Sequence, residues 1–237
     1  MNAYIQVKNV TATFHETTAL DHVSFDIQKG SIVAIIGPNG SGKTTLLKHI
    51  IGIETPQEGS VCIDGKSPKQ MRHAIGYVPQ KFDFDRSIPI TVYEFMALDR
   101  CGTDKHGVNN IDRVLKEVGA MGVKNQKLGT LSGGQFQRVM IARSLLHQKE
   151  ILIFDEPSTG IDMAGEETIY DLIVDINKKN NTTCIIVSHE LNIVHKYAQQ
   201  VLCLNKKKIC YGVPETVITP ETLTALFGHG AGLYHSH

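Results

Sequence analysis

Ile32-Val33-Ala34-Ile35-Ile36 runs without a break into Gly37-Pro38-Asn39-Gly40-Ser41-Gly42-Lys43-Thr44-Thr45. A short apolar run rich in β-branched residues reads as a buried parallel strand. The next stretch fits G-x-x-x-x-G-K-[ST], with Gly37, Gly42, Lys43 and Thr44 in the fixed places. Its glycines let backbone N–H groups turn inward around a phosphate with no side chain in the way. Leu46, Leu47, Ile50 and Ile51 then fall at helical spacing. A helix therefore starts here, and its N-terminus adds partial positive charge at the same point. Lys43 can reach the β- and γ-phosphates, and the Thr44 hydroxyl can ligate Mg²⁺. Strand, loop and helix occur in the required order, which predicts a nucleotide triphosphate site.

The composition narrows the setting. A chain of 237 residues can bury a substantial core and predicts one domain, with room for a subdomain. Lysine plus arginine balances aspartate plus glutamate at 24 each, so no overall charge draws the chain to nucleic acid or lipid. No apolar run approaches the roughly 20 residues of a membrane helix. Met1-Asn2-Ala3-Tyr4 has neither the basic start nor the apolar core of a signal peptide. The 5 cysteines (Cys62, Cys101, Cys184, Cys203 and Cys210) form no C-x-x-C pair. Such an odd, scattered set predicts reduced thiols in a cytosolic protein rather than a disulfide framework.

Taken in order, residues 4–10 alternate weakly and read as a strand, and Asp21–Ile27 reads as another, with a turn carrying Phe14 between them. Val61–Ile63 and Ile75–Val78 are short strands set off by turn residues. From Thr91 the period becomes helical, over Thr91–Asp99 and Ile111–Met121, with Gly102–Asn110 expected as a flexible loop. Residues 1–84 and 146–237 are thus expected to form the nucleotide-binding core, and about 85–145 an inserted helical subdomain. Strand and helix alternate again through Ile151–Phe154, Gly165–Lys179, Cys184–Val187 and a helix from Glu190. Val201–Leu204 and Lys208–Tyr211 read as a closing hairpin. Repeated strand–helix units around a phosphate-binding loop predict a mainly parallel, three-layer α/β core.

Two further stretches bear chemistry. Asp155-Glu156 ends an apolar strand, at the carboxyl edge where α/β sheets place ligands. The aspartate can hold Mg²⁺, and the glutamate can orient or deprotonate an attacking water; a solvated acidic turn is the plainer alternative. His189 ends another strand on that edge. Taken alone, it is more often an ordinary surface histidine than a phosphate ligand. Leu131-Ser132-Gly133-Gly134-Gln135 frees a second set of backbone N–H groups, with Ser132 as N-cap of a following helix. That is a second anion site.

LSGGQ is also the signature sequence of the ATP-binding cassette (ABC) ATPases, and the chain resembles that family over nearly its whole length. The resemblance implies a P-loop NTPase (RecA-like) fold: a mainly parallel sheet, an antiparallel β subdomain and an inserted α-helical subdomain. It implies that Phe14 stacks on adenine, in a place where tyrosine is commoner, with His15 the next candidate. Gln80 matches the glutamine that senses the γ-phosphate and Mg²⁺. Asp155 and Glu156 match the metal-holding and catalytic acids, and His189 the switch histidine. Ser158-Thr159-Gly160-Ile161-Asp162 matches the loop that crosses a head-to-tail dimer, in which each ATP lies between one copy's phosphate loop and the other's Ser132–Gln135. ATP and Mg²⁺ are the cofactors so implied.

Gly76-Tyr77-Val78-Pro79-Gln80 with the following Lys81–Val92, and the C-terminal Tyr211–Glu215, Thr219–Glu221 and Phe227-Gly228, resemble ATPases of bacterial zinc, manganese and iron importers. Residues 81–92 equally suit simple packing of the helical insertion. The resemblance implies import of a transition metal, zinc first, at the cytoplasmic face of the cell membrane. The implied partners are a second copy, separate membrane permease subunits that seat a helix near Gln80 and residues 81–99, and, indirectly, an extracytoplasmic metal-binding protein. Soluble ABC proteins of DNA repair or translation are the other class, but they carry a long coiled coil or two cassettes, and the neutral charge argues against nucleic acid. The glycine-bearing tail, 228–237, holds His229, His235 and His237. It is expected to be solvated and flexible, because three histidines fall short of a structural zinc site. A zinc-sensing tail is the sharper alternative.

Overall fold

The computed structural model describes residues 3–15, 17–82, 84–99, 107–159, 161 and 163–228. Strands β1 (Ile5–Phe14), β2 (Thr17–Ile27), β3 (Ile32–Ile36), β4 (Glu58–Ile63), β5 (Ile75–Val78), β6 (Ile151–Asp155), β7 (Thr183–Val187), β8 (Gln200–Asn205) and β9 (Lys207–Gly212) form two sheets. The helices are α1 (Lys43–Ile51), α2 (Pro68–Met71), α3 (Val92–Ala97), α4 (Gly107–Glu117), α5 (Gly133–Ser144), α6 (Met163–Asn180), α7 (Leu191–Tyr197), α8 (Pro214–Val217) and α9 (Pro220–Phe227).

The larger sheet has six strands in the order β5-β6-β7-β3-β8-β9. All pairs are parallel except β8–β9, which is antiparallel. Every residue of β3, β6 and β7 is buried, which is why these runs read as continuously apolar. Alternate residues feed opposite faces. Val33 and Ile35 pack with α1 and the smaller sheet, whereas Ala34 and Ile36 pack with α7 and α9. Ile32, Leu152 and Phe154 meet the core beneath α4, α5 and α6. The result is a layer of helices, a parallel sheet, and a third layer made of α1 and the antiparallel sheet. Truncating a fully buried member such as Ile35 to alanine would cost about 2–5 kcal/mol.

The smaller sheet is antiparallel, in the order β2-β1-β4. The alternation in β1 is weak for a visible reason. Ile5 and Val7 are buried, then Val10 and Ala12, so the inward parity changes at Asn9, which sits at φ +48 beside a register shift. One inserted residue resets the pleat. The strand then continues to Phe14, which the sequence places in a turn, and the chain reverses at His15 with φ +52.

Two other expectations need correcting. Gly107–Asn110, expected as loop, open α4, while 102–106 lie outside the described residues. The cysteines are not all reduced: Cys203 and Cys210 are bonded, with Cα atoms 4.8 Å apart. The β8–β9 register sets them directly opposite each other, a juxtaposition that spacing alone does not reveal. Cys62 and Cys184 are free thiols, and burial pushes that of Cys184 up to about 12.

Candidate functional site

β3 ends between β7 and β8, so the loop 37–42 leaves the sheet at its carboxyl edge and delivers α1 directly. Two of its glycines are there for lack of space. A Cβ on Gly37 would lie 2.0 Å from the Leu204 carbonyl oxygen, and one on Gly42, at φ +98, 2.3 Å from that of Ala19. The Lys206 N–H, from the β8–β9 turn, donates to the Ser41 carbonyl at 2.8 Å and braces the loop from behind. Lys43 Nζ folds back to donate to the carbonyls of Gly37 (2.8 Å) and Pro38 (3.0 Å). Burial lowers the pKa of this ammonium, while Glu156 and Asp155 pull it back up.

The acids arrive on β6. Asp155 is buried, and that burial raises its carboxyl pKa; the Tyr77 hydroxyl, donating to Oδ2 at 3.1 Å, works against the rise. Glu156 follows at φ +50, a left-handed conformation that costs a side-chain-bearing residue about 1–2 kcal/mol. Three side chains converge on its carboxylate, one of them from its own turn. Gln80 Nε2 donates to Oε2 at 2.5 Å, Thr159 Oγ1 donates to the same oxygen at 3.4 Å, and His189 Nδ1 stands 3.9 Å away. Glu156 is the hub of the edge.

Asn39–Thr45, Gln80, Asp155 and Glu156, with Ala19 on the β2 side, border an open cavity of about 340 Å³, whereas Thr159 and His189 reach Glu156 from outside its wall. The phosphate loop, Thr44, Thr45 and both acids are therefore brought together as their motifs predict. Others stand apart. Phe14 lies at the end of β1, 44% exposed, and is not in the cavity wall. Ser132 caps α5 through a capping box: its Oγ accepts from the Gln135 N–H at 3.3 Å and Gln135 Oε1 accepts from the Ser132 N–H at 3.0 Å. Ser132, Gly134 and Gln135 border no part of the cavity. Gly133 and Gln80 instead border a second groove of about 260 Å³, whose wall includes Phe84 stacked on Phe136 at 5.6 Å. Asp162, like His229, His235 and His237, lies outside the described residues.

The Tyr77 contact with Asp155 has no sequence signal, and Thr159, which the sequence places in the dimer-crossing loop, meets Glu156 of its own chain. Tyr77 reaches Asp155 only because β5 pairs with β6, and no motif announces that pairing. The oxygen donors at the cavity, the Thr44 hydroxyl, the Asp155 carboxylate and the Gln80 carboxamide, are hard ligands of the kind Mg²⁺ takes alongside phosphate. Among the described residues, no group of three His, Cys, Asp or Glu is arranged to hold a metal unaided. The donor set thus fits an ion carried in with a triphosphate.

The profile of the ABC transporter family matches residues 20–159. The chain belongs to the ABC transporter family. As an ABC ATPase it binds and hydrolyses ATP, and the phosphate loop and acids described above lie within or at the border of the matched segment. It is 39% identical over 232 residues to the zinc import ATP-binding protein ZnuC of Photorhabdus laumondii, spanning 97% of this chain and 85% of that one. A probable metal transport system ATP-binding protein of Thermotoga maritima is also 39% identical, over 94% of this chain and 90% of its own. Among solved structures, a dimeric post-hydrolysis state of the ATP-binding cassette MJ0796 with ADP and Pi superposes with a TM-score of 0.77, at 28% identity over 89% of this chain and 98% of that one. The P-loop α/β fold with its antiparallel sheet is common to such cassettes.

Proposed function

We propose that this ABC ATPase powers import of a transition-metal ion, zinc foremost, by closing on Mg²⁺-ATP as a head-to-tail dimer and opening after hydrolysis. The observation that carries the chemistry is the convergence of Gln80, Thr159 and His189 on Glu156 at the rim of the phosphate-loop cavity. The metal cargo rests on the two relatives named for zinc and metal transport.

In this reading Lys43 leaves the Gly37 and Pro38 carbonyls and pairs with the β- and γ-phosphates, a stronger partner for a desolvated ammonium. Thr44, Asp155 and Gln80 would hold Mg²⁺, which supplies charge neutralisation at the β- and γ-phosphate oxygens. Glu156 accepts a proton from the attacking water, and His189 donates to the γ-phosphate. Phe14 stacks on the adenine. The partner copy contributes the N–H groups of Ser132–Gln135 and the segment ending at Asp162, which accounts for why Ser132 stands apart from the cavity of its own chain. Closing then surrounds the triphosphate with donors, and hydrolysis removes the anion that held the copies together.

Among the described residues no helix is long and apolar enough to cross a membrane. Because its relatives are named as ATP-binding proteins of import systems, the proposed path for the ion lies in separate permease subunits, with the chain working at their cytoplasmic face. The groove walled by Phe84 and Phe136 and bordered by Gln80 suits an amphipathic helix of the permease. Its occupant would press on the residue that holds Glu156, coupling docking to hydrolysis. The proposed core and helical insertion, split near residues 85 and 145, are the two bodies such a helix would bridge. An extracytoplasmic metal-binding protein would deliver the ion to the far side.

Uptake of labelled zinc, manganese and iron by cells lacking the gene, supplied with the wild-type or the Glu156→Gln protein, tests this reading. Zinc uptake restored by the wild type alone supports it. Normal uptake of all three metals without the gene, or co-purification of the chain with nucleic acid in place of a membrane protein, contradicts it.

A further inference from the structure

The base subsite depends on a hairpin tip that ought to be weak. β4 accompanies β1 only as far as the Thr11–Glu58 pair, so beyond it β1 and β2 form a bare two-stranded ribbon. Such a ribbon is marginal in water by itself. Its last pairs, Thr13–Thr18 and Phe14–Thr17, are the ones that place the Phe14 ring. On its outer edge the ribbon would leave the Thr13 N–H and C=O without a strand partner.

Gln57 fills that place. Its backbone N–H donates to the Thr11 carbonyl at 3.1 Å, which brings its side chain alongside the next outward-facing peptide. The side-chain amide then bonds Thr13 in both directions: the Thr13 N–H donates to Gln57 Oε1 at 3.1 Å, and Gln57 Nε2 donates to the Thr13 carbonyl at 2.8 Å. A carboxamide carries one acceptor and two donors in a plane, so it reproduces the paired bonds that a strand residue exchanges in an antiparallel ladder. One side chain thereby extends the sheet edge up to the residue before Phe14.

We propose that Gln57 is a positioning residue for the base subsite: its amide clamps the Thr13 peptide and fixes the height and tilt of the Phe14 ring for stacking on the adenine of ATP. This rests on the reading of Phe14 as the base contact. The effect belongs to the base alone, because the phosphate loop is anchored elsewhere, by β8 and β2.

The chain has no tryptophan, so Phe14→Trp introduces the sole indole, and stacking of adenine on it is read as quenching of its fluorescence. ATP is titrated into the Phe14→Trp protein and into Phe14→Trp carrying Gln57→Ala or Gln57→Glu. Calorimetry with Mg²⁺ and inorganic tripolyphosphate reports the phosphate end alone. The expected result is full quenching in the first protein. With either Gln57 substitution, the quenching at saturation is smaller and ATP affinity is about 3- to 10-fold weaker, as loss of one or two net hydrogen bonds gives. Gln57→Glu should be at least as weak as alanine, since it turns an acceptor towards the Thr13 carbonyl. Tripolyphosphate should bind all three alike. Equal quenching and equal ATP affinity would overturn the clamp while leaving the stack intact. A parallel loss of tripolyphosphate binding would also overturn it, by making Gln57 a general support of the fold. If Phe14→Trp is not quenched even with Gln57 present, the stacking reading is at fault, and the clamp falls with it.

Discussion

Gln80 and Glu156 are joined by a hydrogen bond of 2.5 Å, from a carboxamide on the groove wall to a carboxylate on the cavity wall. The bond links two surfaces with different occupants in the proposed cycle, a permease helix and a triphosphate. Gln80 therefore cannot move in the groove without changing the partners of the carboxylate. Gln80 and Thr159 both donate to Oε2, which fixes the orientation of the Glu156 carboxylate.

Glu156→Gln keeps the shape of the side chain and an oxygen that accepts from Gln80, but removes the base. ATP turnover should fall by roughly 10²–10⁴, the usual contribution of a positioned general base. ATP binding should persist, and size-exclusion chromatography with ATP should show a dimer that outlasts the wild-type one. Turnover near the wild-type rate would remove Glu156 from the mechanism.

Tyr77→Phe removes only the hydroxyl that donates to Asp155 Oδ2. The carboxylate then has one less group holding it, and a hydrogen bond to a charged partner contributes about 1.5–3 kcal/mol. In the Glu156→Gln background with ATP bound, Mn²⁺ used as a paramagnetic stand-in should bind about 10-fold more weakly or worse. ATP affinity without a divalent ion should stay as it was. Electron paramagnetic resonance of the free ion reads the difference, and equal Mn²⁺ affinity would leave Tyr77 without a part in holding Asp155.

Glu166, on α6, is buried, its Oε1 has no donor among the described residues, and it faces Glu190, which follows His189. Burial first, then the Glu166 carboxyl, raise the pKa of Glu190, with His189 opposing. A carboxyl whose folded pKa is raised takes up a proton on folding. Its stabilisation is complete below the ordinary carboxylate range and is lost as pH rises through the raised value. Glu166→Gln replaces a carboxyl facing Glu190 with an amide that can donate to the Glu190 carboxylate. It should stabilise the protein by about 1 kcal/mol at pH 8 and by little at pH 4. Urea denaturation at the two pH values checks this; a gain confined to pH 4 would reverse the assignment.

The parts legible in the sequence are those whose chemistry is contiguous. β3, the glycine loop and α1 are fixed by one unbroken stretch, and Asp155-Glu156 by the strand that ends on it. Ser132 as an N-cap is likewise local. What stayed hidden depends on pairings between distant segments. Tyr77 meets Asp155, and Cys203 meets Cys210, only through strand registers. Gln57 meets Thr13 through a side chain taking the place of a strand. The inserted residue at Asn9 breaks the alternation of β1, so the pattern ends before the strand does, and the first turn of α4, Gly107–Asn110, carries no helical period because Val108 is its one apolar residue. A period-based reading fails where the period itself changes.

In the proposed dimer one copy's Lys43 and Glu156 act with the other copy's Ser132. Ser132→Arg puts a bulky cation at the signature, and Lys43→Ala empties the phosphate loop; each protein alone should be inactive. Mixed, they form heterodimers in which one site carries both defects and the other carries neither. ATPase activity measured across mixing ratios decides the matter. With a site shared between copies, activity appears on mixing and is greatest at equal amounts. Activity that stays at the level of the two parents at every ratio, or a Ser132→Arg protein that hydrolyses ATP normally alone, would contradict a site shared between copies.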